Sequence, residues 1–319
     1  MKNTEKIQKL RDLIIQNLTP IINSDYALID VPDYDNIGDS LIWEGELSFL
    51  KNIPYQKYYE CSLKFFDHNR IRPETTLLLQ GGGNFGDIYP VVNDFRISLI
   101  QKYQNHKIII LPQTLHYKSQ ETLERDSKII NEHPNITICV RDEKSESLAK
   151  QYFSNATILL LPDMAFCIDL HKIQTNKKGN KILVMDRKDN ENIPLNINIG
   201  QEYDLLDWPT FNTTKEERYK KLRFEHRLDR IALMIQRHSP FSKYIDSRYG
   251  LKNKKRREKF IEMGTAFFSD YRKIYTTRLH GMILAILMGK EVVILDNSYG
   301  KLSSYYNTWL KDFDDIYII

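Results

Sequence analysis

Apolar residues recur along this chain in two rhythms, and the change from one to the other marks out its elements. Ile7, Leu10, Ile14 and Leu18 repeat at helical spacing and predict an amphipathic N-terminal helix. Tyr26–Val31 reads as a strand leading into the polar turn Pro32–Asp39, after which Ser40–Leu50 resumes helical spacing. Tyr55–Cys61 and Thr75–Gln80 predict two more strands, the second opening into Gly81-Gly82-Gly83-Asn84-Phe85-Gly86-Asp87. Strands at Lys107–Leu111, Asn135–Val140 and Thr157–Leu161 alternate with helices near Asn93–Gln104, Ser119–Asn131 and Glu143–Phe153. A polar stretch, Lys172–Asn180, comes next. Beyond it Lys181–Asp186 starts strands again, followed by helical runs at Glu216–Arg237 and between Lys254 and Phe268. Alternation of this kind predicts α/β architecture with doubly wound parallel sheets. A length of 319 residues suits two domains, and the polar stretch sets their join, giving 1–172 and 173–319. A last helix near Lys301–Leu310 is expected to pack back on the N-terminal domain.

The most distinctive pattern is Tyr271–Gly289, YRKIYTTRLHGMILAILMG. A β-prone run, Lys273–Thr277, gives way to Met282–Gly289, apolar on every side and therefore a buried helix. Glu291–Asp296 follows as a buried parallel strand. Arg278 and His280 fall at the turn between the first strand and the helix. The first turn of a helix offers unpaired N–H groups and partial positive charge, which suits an anion. A guanidinium and a protonatable imidazole beside it point to a phosphate or carboxylate site. The plainer reading pairs Arg278 with a structural carboxylate and makes His280 a satisfied core residue. The residues alone leave both open.

Other strand ends carry further candidates. Gly81, Gly83 and Gly86 match G-x-G-x-x-G after a strand, but the next strand runs into Pro112-Gln113-Thr114 and lacks the acidic residue a dinucleotide site wants. A close approach of ligand to backbone, or simply a tight strand-to-helix turn, are the readings left. Asp39, in the turn Asn36-Ile37-Gly38-Asp39, is either the N-cap of the following helix or a carboxylate placed to orient or deprotonate a hydroxyl. Arg141 and Arg187 each end a strand, where an arginine makes either a structural ion pair or a ligand contact. Asp142 or Ser145 is expected to cap the helix after Arg141.

Composition narrows the class. The balance of 41% hydrophobic and 28% charged residues is that of a globular chain able to bury a core, and a net charge of +4 is too slight to imply nucleic acid. Cys61, Cys139 and Cys167 are too widely spaced for a disulfide framework or a zinc pattern. The histidines have no ligand-like spacing, so no metal is expected. Without a signal-like leader or a membrane-length apolar run, the chain is expected to be cytoplasmic. Lys252–Lys259, KNKKRREK, holds six basic residues. They read as a solvated helix face, or as a patch that meets the inner membrane surface or a lipid-linked anionic acceptor.

Taken together, NIGDSLIWEG (36–45), LLLQGGGNFGD (77–87), VRDEKS (140–145), LPDMAF (161–166) and TTRLHGMILAILMGKEVVIL (276–295) resemble the polysaccharide pyruvyl transferase family. TRLHG-x-I-x-A after a strand is the most specific of these blocks. The resemblance implies two Rossmann-like domains in a GT-B-like arrangement. It also implies transfer of the pyruvyl group of phosphoenolpyruvate to a sugar of a surface polysaccharide or its lipid-linked precursor, as a ketal. Phosphoenolpyruvate is then a co-substrate and no cofactor is required. The family's phosphoenolpyruvate-binding RLH block falls on Arg278, Leu279 and His280, which would then bind phosphoenolpyruvate here, and its further arginine matches Arg187. His280 would serve as acid, with Asp39 the second catalytic candidate. Asn36, Gly38, Asp39, Gly81, Gly82, Gly83 and Asn84 would form the acceptor side. The stretch 188–260 departs from the family pattern. Two rivals stay open: a GT-B-type glycosyltransferase using a nucleotide sugar, and a non-catalytic sugar-phosphate binding protein.

Overall fold

The computed structural model describes residues 3–175, 177, 179–187, 199–211, 228, 231–232, 234–235, 242–296 and 300–319. Its first half runs α1 (Asn3–Leu18), β1 (Tyr26–Ile29), α2 (Ile37–Leu50), β2 (Lys57–Cys61), β3 (Thr76–Leu79) and β4 (Gly82–Gly86). It continues with α3 (Pro90–Lys102), β5 (Lys107–His116), α4 (Gln120–Glu132), β6 (Ile136–Val140), α5 (Glu143–Tyr152) and β7 (Thr157–Leu160). The second half has β8 (Lys181–Met185), β9 (Asp204–Leu206), α6 (Ser242–Ser269), β10 (Tyr271–Thr276), α7 (Leu279–Leu287), β11 (Glu291–Ile294), α8 (Lys301–Trp309) and β12 (Ile316–Ile318).

These strands form two sheets, each wholly parallel. The first has the order β2-β1-β3-β5-β6-β7, with β4 also on β5; the second runs β12-β11-β10-β8-β9. Both place the first strand between the second and the third, so the winding reverses beside β1 in one sheet and beside β8 in the other. Crevices at such reversals, beyond the carboxyl ends of the strands, are where open α/β sheets hold ligands.

Alternation along the strands sorts their side chains between cores. Leu78 and Ile109 face a central core that also takes Leu183, Met185, Ile274 and Ile294 from the second sheet, while Leu77, Leu79, Ile108 and Ile110 face a separate core. The central core therefore joins the two halves, and α1, α2 and α7 fill it. Gly45 permits the closest approach within it: a Cβ there would lie 1.9 Å from the carbonyl oxygen of Met164. Polar contacts reinforce the join. Arg257 of α6 donates to Glu44 of α2 at 2.8 Å and lies 4.5 Å above the Trp43 ring.

Several sequence expectations shift. The glycine segment is not a strand-to-helix turn: Gly82–Gly86 adds to the far end of β5, whose pairing passes from β3 to β4 along ten residues. Gly82 and Gly86, with φ of 135° and 115°, supply the bend this continuation needs. Strands β9 and β12 were too short to register as periodic runs, and α6 begins at Ser242. The helix expected at Glu216–Arg237 lies mostly outside the described residues. The basic run on α6 is divided. Arg257 is buried and Arg256 turns toward Asp33 and Asp35, whereas Lys252, Lys254, Lys255 and Lys259 are exposed. No helix among the described residues is long and apolar enough to cross a membrane. All three cysteines are buried and free.

Candidate active site

The two winding reversals open onto one cleft of about 450 Å³. From the first half it takes Tyr34, Asn36, Gly38, Asp39, Gly83, Asn84 and Arg141, and from the second Arg187, Trp208, Phe211, Arg278, Leu279 and His280.

Arg278 stands immediately before α7, its backbone extended, and no side chain caps that helix. Among the described residues no side chain accepts from the first-turn N–H groups of α7, and its positive end points at the cleft. Arg187 follows β8, the strand hydrogen-bonded to β10, so the two arginines come from adjacent strand ends. Arg278 is held by Asp207, with Nε donating to Oδ1 at 2.6 Å and Nη2 to Oδ2 at 2.7 Å, and its guanidinium lies 4.8 Å above the Phe211 ring. The structural carboxylate of the plainer reading thus exists, yet the arginine it orients lines the cleft.

His280 reaches across to the first half, where its Nε2 lies 3.3 Å from Oδ2 of Asp163. That oxygen also accepts from Nη1 of Arg141 at 2.5 Å, and Oδ1 accepts from the Ala165 N–H at 2.9 Å. Burial pushes the Asp163 carboxyl up, but His280, Arg141 and the Ala165 N–H outweigh it and hold it well below the usual carboxylate range. The other flank of the imidazole lies against Gly38. A Cβ there would stand 2.7 Å from Nδ1, so this glycine serves for space rather than for φ.

On the first half, Asn36 caps α2 by accepting from the Gly38 N–H at 2.8 Å and the Asp39 N–H at 3.4 Å. Asp39 is thus not the N-cap. It sits within the first turn, half-buried on the cleft wall. Asn84 is fixed from behind, accepting from Nη2 of Arg96 at 3.1 Å and Nε2 of Gln113 at 3.2 Å. Arg96 in turn pairs with Asp30, whose carboxyl burial pushes up to about 6 although Arg96 pulls it back. Gly81 and Gly82, expected on the acceptor side, do not reach the cleft wall. Gly81 is buried against Pro112 and donates its N–H to the buried Glu46 at 2.8 Å, while Gly82 lies under Ile42; both serve the course of β4 instead. Asp142, not Ser145, caps α5, accepting the Ser145 N–H at 2.9 Å. Among the described residues no cluster of three or more His, Cys, Asp or Glu is placed to hold a metal.

Reasoning from sequence alone gave no role to Asp163, Asp207, Trp208 or Phe211. Asp163 stood in the LPDMAF block just past a strand end, as Arg141, Arg187 and Arg278 do. Asp207 follows β9, a strand of three residues, in a stretch without a pattern to flag it.

The model of the family described as polysaccharide pyruvyl transferase matches residues 36–299, spanning both walls of the cleft. The chain belongs to the polysaccharide pyruvyl transferase family. It is accordingly an enzyme, a pyruvyl transferase of polysaccharide biosynthesis. A Bacillus subtilis (strain 168) protein named "Putative pyruvyl transferase EpsO" is 34% identical over 309 residues, covering 96% of this chain and 90% of that one. Pyruvyl transferase 1 of Schizosaccharomyces pombe is 29% identical, over 89% of this chain and 69% of its own. A crystal structure of a functionally uncharacterised Klebsiella pneumoniae protein shares the fold, with a TM-score of 0.61, 23% identity and 98% of each chain covered. The family resemblance in the TRLHG block thus extends to nearly the whole pyruvyl transferase chain.

Proposed function

We propose that this pyruvyl transferase takes its pyruvyl group from phosphoenolpyruvate and sets it as a ketal on two hydroxyls of a sugar acceptor. The observation that carries the reading is the meeting of Arg187, Arg278 and the uncapped N-terminus of α7 at one winding reversal, with His280 beside them. Phosphoenolpyruvate bears a phosphate and a carboxylate, and two cationic positions plus a helix N-terminus match two anionic groups. His280 delivers a proton to C3, which leaves C2 cationic and open to the first sugar hydroxyl. The C2–O bond to phosphate then breaks, and the second hydroxyl closes the ketal. Of the two hydroxyl protons, one balances that gained by C3 and the other leaves on hydrogen phosphate. Asp39, on the opposite wall, is the carboxylate placed to accept a hydroxyl proton.

In the same reading the two sheets are Rossmann-like domains of a GT-B-like pair, divided at 172 and 173. The first supplies the acceptor side through Asn36, Gly38, Asp39, Gly83 and Asn84. The lysines left exposed on α6 suit an anionic lipid carrier or the inner membrane surface that holds it.

Thermal unfolding tests the donor. Phosphoenolpyruvate at about a hundredfold excess over its Kd is expected to add about 2.7 kcal/mol of stability, seen as a rise in Tm. Stabilisation by nucleoside diphosphates and not by phosphoenolpyruvate would place the protein with sugar-nucleotide enzymes instead.

A further inference from the structure

We propose that Asp163 is a positioning residue that fixes the tautomer of His280, making Nδ1 the nitrogen that exchanges a proton with substrate. The role in catalysis rests on the phosphoenolpyruvate reading above; the tautomer itself does not. Asp163 is fully buried, and an ionised carboxylate can only accept hydrogen bonds. Nε2 of His280, 3.3 Å from Oδ2, must therefore carry its hydrogen in both the neutral and the charged ring. What changes on titration is Nδ1, on the flank beside Gly38. The proton that can leave is thus the one on Nδ1.

Asp163 is itself held in place from three directions. Arg141, at the end of β6, donates to its Oδ2; the Ala165 N–H donates to its Oδ1; and its own N–H donates to the hydroxyl of Tyr305 on α8 at 3.0 Å. Helix α8 belongs to the second half and also reaches the β6 end, through Trp309 Nε1 to the Arg141 carbonyl oxygen at 2.8 Å. The acid carried by the second half is oriented by a carboxylate of the first, which a helix of the second half locks. The charged and titratable groups sharing the imidazole's surroundings are Asp163 and Arg141 from the first half, Tyr34 and Asp39 on the α2 side, and Arg187 and Arg278 from the second. Among the described residues Asp163 is the one bonded to the ring.

Two measurements test this. In the wild-type enzyme with 15N-labelled histidine, the neutral His280 ring, assigned by its absence from His280→Gln, is expected to show a protonated Nε2 and an unprotonated Nδ1. The opposite tautomer overturns the proposal whatever the donor proves to be. In Asp163→Asn, kcat is expected to fall about 10²–10⁴-fold, with phosphoenolpyruvate still raising Tm. The nitrogen signals of His280 should then no longer show a protonated Nε2 alone, because an asparagine side chain can turn its NH2 toward that nitrogen where the carboxylate could only accept. A folded Asp163→Asn enzyme that keeps both the wild-type tautomer and the wild-type kcat also overturns it, since a merely structural role would lower Tm and leave those two unchanged.

Discussion

His280→Gln is expected to lose about 10²–10⁴ in kcat while its affinity for phosphoenolpyruvate changes far less. The glutamine amide keeps a donor for Asp163 and has no proton to give at working pH. An acid acts only in the transition state, so its removal shows in kcat rather than in ground-state binding. The alkaline limb of the pH–rate profile should vanish in this variant. Its disappearance distinguishes a lost acid from a shifted loop, which would lower the rate and leave the profile's shape. A His280→Gln enzyme near wild-type rate with an intact profile would make His280 a structural residue.

Arg278 should fail differently, and its partner makes the test sharper. A charge-assisted contact to the substrate's anionic end is worth about 1.5–3 kcal/mol, or roughly ten- to a hundredfold in affinity. Arg278→Lys keeps the charge and loses the planar fork that matches Asp207, so it should recover only part of that binding. Arg278→Ala also takes both guanidinium contacts from Asp207, buried with 0% exposure, and breaking a buried pair from one side costs about 3–5 kcal/mol of stability. Removing Asp207 as well should restore most of that stability and none of the affinity. Unfolding midpoints and phosphoenolpyruvate dissociation constants for the two single variants and the double variant read the two effects apart. A double variant that binds phosphoenolpyruvate like wild type would leave Arg278 with the Asp207 pair as its whole purpose.

Much of this site was legible because its residues lie where patterns end. Arg187 and Arg278 follow β-prone runs that read as strands, and the all-apolar character of Met282–Gly289 marked α7 as buried. Parallel sheets put such strand ends on one edge, so residues distant in sequence could be expected to converge. What could not be read was pairing between side chains. Nothing local in YDLLDWPTF distinguishes Asp207, which receives Arg278, from Asp204, which accepts the Tyr271 hydroxyl at 3.0 Å. Asp163 gains its meaning only once Arg141, Tyr305 and His280 meet on it from three separate elements. Gly82 misled for a physical reason. Glycine-rich segments after strands often turn toward a ligand, but β5 is long enough to keep pairing, and positive φ there bends a strand onward.

The most direct test of the account is release of inorganic phosphate from phosphoenolpyruvate, followed across a panel of lipid-linked and free sugars, with the acceptor's mass read in the same reaction. Phosphate is expected only when a suitable sugar is present, one for each acceptor that gains a pyruvate ketal, and neither product should form with His280→Gln. Phosphoenolpyruvate left intact with every acceptor, while a nucleotide sugar is consumed in its place, would contradict it.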